Sequence, residues 1–138
     1  MSKVNDEKEF GELLMELHKT ISIKGIRETI RHLKTNREAV LQENKISDIK
    51  KSVIDAFGVD DCLAAKKEDL NKVARCLFAY ALRKEGIENE TIAGMLSIHR
   101  NTIYKLTTFV KKANLVNPKA PCDILLKEAY DKIYKTNQ

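Results

Sequence analysis

Apolar side chains recur along this chain at intervals of three and four, the period of an α-helix that buries one face. From Asn5 to Lys19 they are Phe10, Leu13, Leu14 and Leu17, behind Asp6, Glu7 and Glu9, where the helix dipole favours acids. A second amphipathic helix is expected from about Ile23 to Lys34, with Ile26, Ile30 and Leu33 on one face and Arg27, Arg31 and Lys34 on the other. His32 stands among those charges without a catalytic partner. Thr35 to Glu43 is polar around Ala39, Val40 and Leu41, and either continues this helix or bridges to the next unit. Residues 1–45 therefore read as a helical extension. It either packs on the remainder or serves as a dimerisation or partner-binding hairpin, its stripes being short of the several heptads a coiled coil needs.

From Ile46 the period sharpens. Ser47 is placed to cap a helix carrying Ile49, Val53, Ile54 and Phe57, which Gly58 ends. Val59 to Leu63 is expected to form a short turn of helix. After Lys66 and Lys67 a long helix runs from about Asp69 to Glu85, with Val73, Leu77, Tyr80 and Ala81 in register and Leu70, Cys76, Phe78 and Leu82 widening the apolar face. A helix apolar around so much of its circumference is the central, buried one. Gly86 ends it. Ala113 to Pro121, with two prolines and two asparagines, is a connector, and Cys122 to Lys135 a last helix with Leu126, Tyr130 and Ile133 on one face, backed by Ile124 and Leu125. That helix covers the preceding unit or extends a dimer surface.

Between Gly86 and the connector lies NETIAGMLSIHRNTIYKLTTFVKK, Asn89 to Lys112, two short helices around a tight turn. Ile92, Ala93, Leu96, Ile98, Ile103 and Leu106 fall where a helix-turn-helix packs, and Ser97 stands where its turn usually carries Gly. The second helix offers solvent His99, Arg100, Asn101, Thr102 and Lys105, the cationic and hydrogen-bonding side chains that a major-groove helix uses. Arg100 and Asn101 are the expected base readers, with Thr102, Lys105, Lys111 and Lys112 on phosphates. His99 either caps this helix or touches a phosphate.

Composition narrows the class. In 138 residues there are no Trp, five Gly and two Pro, so the fold is expected to be all-α, one domain or a small domain with a helical extension. The net charge is +5, and from Thr91 to Cys122 there are five Lys or Arg and no Asp or Glu, so the rest of the chain is balanced. A phosphate-facing surface is patterned this way. Cys62, Cys76 and Cys122 show no metal-finger or redox spacing, and Cys76 reads as a core residue in a reducing cytosol. No apolar run follows the N-terminal charges and no window has the length of a membrane span. A cytoplasmic protein without metal or cofactor is expected, and no set of residues suggests catalysis. Tyr104 lacks the Arg and His cluster of a recombinase and is expected to support the motif or hydrogen-bond a phosphate, Asp60-Asp61 reads as a solvated turn beside the lysines, and Arg75 and Arg83 are expected to pair with glutamates of neighbouring helices.

Residues from about 46 to 113 resemble the C-terminal DNA-binding domain of the bacterial chromosomal replication initiator DnaA, of the Trp-repressor-like helical class. The resemblance lies in an ordered set: Ile49, Val53, Phe57, Gly58 and Val59; then Leu63 with Lys66 and Lys67; then Ala74, Arg75, Tyr80 and Arg83; then the helix-turn-helix. It covers about half the chain. It implies DNA binding with Lys66 and Lys67 reaching phosphates and the minor groove. The family's recognition helix opens with Asp-His-Thr-Thr, whereas this chain has His99, Arg100, Asn101 and Thr102, so DNA binding is implied and the family's target box is not. No G-x-x-x-x-G-K-[ST] occurs, so the initiator's ATPase module is missing. Such a chain is similar to a stand-alone regulator, or to a phage or mobile-element factor.

The expectation is a non-enzymatic, sequence-specific double-stranded DNA-binding protein in replication or transcription control. It comprises an extension (1–45), a helix-turn-helix domain (46–113) and a connector with a C-terminal helix (114–138). The alternative is a helical adaptor or homodimerisation module that does not bind DNA. RNA binding is weaker, because the motif has few exposed aromatics for stacking.

Overall fold

In a computed structural model, residues 3–134 form six α-helices, and side chains are described from Asp6 to Tyr134. No strand occurs among the described residues, as the all-α expectation has it. The helices are α1 (Lys3–Lys24), α2 (Ile26–Phe57), α3 (Asp69–Lys84), α4 (Asn89–Leu96), α5 (Arg100–Lys112) and α6 (Pro121–Tyr134). Lys135, where the sequence pattern ends the last helix, lies outside the described residues. The chain divides into two units, Met1–Glu43 and Asn44–Gln138.

In the first unit α1 runs past Lys19 to Lys24, because Thr20 and Ser22 hydroxyls donate to the carbonyls of Glu16 and His18 and so stay inside the ladder. Gly25, at φ 87°, breaks it, a conformation that a side chain would strain. The next helix then starts at Ile26 rather than Ile23. It does not stop at Lys34 or begin again at Ser47: α2 is continuous for 32 residues. Glu38, Ala39, Leu41, Gln42, Glu43 and Lys45 are strong helix formers, and Ser47, inside the continuous helix that follows, has no free backbone N–H to cap. Gly58, at φ 71°, ends α2.

In the second unit α3 is the axis. On one side Ala74, Phe78, Ala79 and Leu82 pack with Val53 and Cys62, with Ile92, Ala93 and Leu96 of α4, and with Ile103 of α5. On the other, Val73, Cys76 and Leu77 pack with Ala56, Val110, and Leu126 and Ala129 of α6. α6 thus covers α3, with Tyr130 stacked obliquely between Tyr80 and Tyr134, while Ile124 points outward. Lys132 Nζ reaches the Ala56 carbonyl at 3.3 Å, which the end of α2 leaves without a helical donor.

Residues 59–63 are not a turn of helix but two successive hydrogen-bonded turns, Cys62 N to Val59 O and Ala64 N to Asp61 O. Their carbonyls are drawn to α3 instead. Asn71, 2% exposed, points its Nδ2 at the carbonyls of Asp61, Cys62 and Ala64, at 2.9, 3.1 and 3.3 Å.

Candidate nucleic-acid interface

The turn from α4 to α5 is tight because Ser97 takes the left-handed conformation (φ 56°) and Ile98 N–H bonds back to the Ala93 carbonyl at 3.0 Å. His99 then caps α5, its Nδ1 accepting from the Asn101 backbone N–H at 3.2 Å. Of its two expected roles, His99 fills the first in this structure.

α5 buries Ile103, Thr107 and Val110 and leaves the opposite side to solvent. At about 100° per residue, Arg100, Asn101, Tyr104, Lys105, Thr108, Lys111 and Lys112 share an arc of about 140°. Arg100 to Lys111 spans about 16 Å at 1.5 Å per residue. All of these residues are exposed except Thr108, which is half-buried. Thr102 is not among them. It is half-buried and turned about 200° from Arg100, so it does not join the face with the lysines. Tyr104, 70% exposed, sits in the middle of the stripe.

Lys66 lies on the loop before α3. A cavity of about 480 Å³ has Lys66 and Ala65 on one wall and Leu106 and Phe109 of α5 on another, so the basic loop flanks the same helix. Arg75 fixes this arrangement: its guanidinium donates to the Leu63 carbonyl at 3.1 Å and to the Leu96 carbonyl at 2.7 Å, tying the loop and the end of α4 to α3. Arg83 donates to the Ile87 carbonyl at 2.9 Å. Both arginines pair with backbone carbonyls, not with glutamates: Leu96 ends α4, and Leu63 and Ile87 lie between helices, so none of these carbonyls has a donor from a helical ladder. Lys67 is exposed and does not line the cavity.

Two carboxylates intrude on this basic surface. Glu90, one residue before the acid-free stretch, reaches across from α4 to Arg100 at 2.8 Å. Asp61 pairs with Lys66; that ammonium, through its hydrogen bond and then its charge, holds the Asp61 carboxyl below its ordinary range and is itself raised by it. Asp61 is an exposed turn residue beside the lysines, as expected, and pairs with one of them. Exposed pairs such as Arg100–Glu90 contribute roughly 0–1 kcal/mol, so a phosphate or a guanine edge can displace the carboxylate. Lys67, Lys105, Lys111 and Lys112 have no ion-pair partner among the described residues.

Among the described residues no group of three or more His, Cys, Asp or Glu is placed to hold a metal, and no helix is long and apolar enough to cross a membrane. Comparisons of the chain with models of known protein families, with characterised proteins and with solved structures find no match.

Proposed function

We propose that this protein binds double-stranded DNA sequence-specifically, with α5 as the recognition helix of a helix-turn-helix and a role in replication or transcription control. The observation that carries the reading is the solvent stripe of α5: one guanidinium, one amide and three ammonium groups on a single face of a helix without acids, presented by a tight turn. Arg100 and Asn101, at the N-terminal end, offer donors suited to guanine and adenine edges. Lys105, Lys111 and Lys112 follow the backbone, and Lys66 and Lys67 grip it beside α5. The resemblance to the initiator's DNA-binding domain supports the same arrangement.

The test is anisotropy of labelled duplexes, first selected from a random pool, across a salt series. Affinity is expected to fall linearly in log–log form with salt. Arg100→Ala and Asn101→Ala should each cost about 1–3 kcal/mol on the selected duplex and little on random duplex, whereas Lys105→Ala and Lys111→Ala should weaken both and flatten the salt slope. Binding indifferent to ionic strength and to all four substitutions would leave the adaptor reading in its place.

A further inference from the structure

We propose that the first unit is a self-association module, in which α1 of one copy packs against the N-terminal half of α2 of a second copy and reciprocally. Phe10, Leu13 and Leu14 of α1 are 50–60% exposed, and Ile26, Ile30 and Leu33 of α2 are 47–63% exposed. α1 is 22 residues long, yet it packs lengthwise on no helix of its own unit among the described residues. A lone helix gains little stability in water, so such apolar faces require a partner.

The chain's own α2 cannot supply that partner side by side. Antiparallel helices are joined by loops of about two to five residues, and here Gly25 alone separates Lys24 from Ile26. The electrostatics name the occupant. From Asp6 to Leu17 there are five acids (Asp6, Glu7, Glu9, Glu12 and Glu16) against one base, Lys8. From Ile26 to Arg37 there are four bases (Arg27, Arg31, Lys34 and Arg37) against one acid, Glu28. Within this unit the ion pairs are local to one helix, Lys19 with Glu16 and Arg31 with Glu28, and none joins α1 to α2 among the described residues. At about 100° per residue, Arg27 and Lys34 lie about 70–90° from the middle of the Ile26, Ile30 and Leu33 stripe, and Glu9 and Glu16 about 90–110° from the middle of the Phe10, Leu13 and Leu14 stripe, so these charges border the apolar faces while Arg31 and Glu12 lie farther round. Each chain thus carries both halves of an apolar contact edged by complementary charges, which it cannot close alone. Two copies close it twice around a two-fold axis, each contact repeated by symmetry. This inference is independent of the DNA reading.

Two full-length variants test it in sedimentation velocity. One carries Glu9→Lys, Glu12→Lys and Glu16→Lys; the other carries Arg27→Glu, Arg31→Glu and Lys34→Glu. The unaltered chain is expected to be a dimer. Each variant alone opposes like charges at both symmetric contacts and should dimerise about a hundredfold more weakly. Mixed in equal amounts, they restore opposite charges at both contacts and should form a heterodimer. The near-ultraviolet dichroism of Tyr80, Tyr130 and Tyr134 checks that the second unit of each variant remains folded. A monomeric unaltered chain, variants that self-associate as it does, or a mixture that stays monomeric would each overturn the proposal.

Discussion

Asn71 shows how a single amide can position a surface loop. Its two hydrogens are shared among three carbonyls of the loop that carries Lys66, inside a helix face otherwise apolar. Asn71→Leu keeps the volume and removes the donor, so it should cost about 1–3 kcal/mol in urea denaturation, the penalty for leaving buried carbonyls without a partner. A buried polar residue in an apolar stripe was the one signal in the sequence for this clamp. Arg75 gave no comparable signal, since its partners are backbone carbonyls of Leu63 and Leu96, 12 and 21 residues away, and carbonyls are invisible in a residue pattern. Burial also marks Cys76, whose thiol is pushed up to about 11 from the ordinary 9.0. Between those values the folded chain keeps a proton that the unfolded chain has released. Stability should therefore be full below pH about 9 and decline as pH rises toward 11, and Cys76→Ala should lessen that decline in the urea midpoint.

Among the helices, those with a strong period and a glycine stop, α3 above all, were legible from end to end. α2 was not, because an open polar stretch and a serine in capping context look alike whether or not the helix continues; the sum of helix propensities from Glu38 to Lys45 decides it. Nor could a one-dimensional count show that Glu90, just outside the acid-free run, folds back onto Arg100 one helix later. The face of α5 was legible in its residue types, and its true edge, which excludes Thr102 and includes Tyr104, follows only from where the helix is buried. The turn that delivers α5 stores strain at Ser97, held left-handed without glycine's freedom. Ser97→Gly should raise stability by roughly 0.5–1 kcal/mol in thermal unfolding, since it relieves that strain at some cost in chain entropy. His99→Ala should lower it by about 1 kcal/mol by removing the cap, while His99→Asp should not.

Across the molecule, a helical core around α3 supports a basic face, and a separate helical unit has apolar surfaces and opposite charges of its own. If that face binds DNA as proposed, the carboxylates of Glu90 and Asp61 on it bear on how fast a duplex is found. Each reduces a cation to a dipole at separations larger than the pair itself, inside the Debye length of about 10 Å in 0.1 M salt, so on the proposed reading neither Arg100 nor Lys66 adds much to the attraction of a duplex. On that reading, encounter is left to the lysines without ion pairs, and Arg100 engages once a competing acceptor is at hand. Glu90→Gln should accordingly raise the association rate several-fold in stopped flow at low salt, on cognate and random duplex alike. On the proposed DNA-binding reading, Glu90 would place discrimination between sequences in the lifetime of the complex rather than in the frequency of collision.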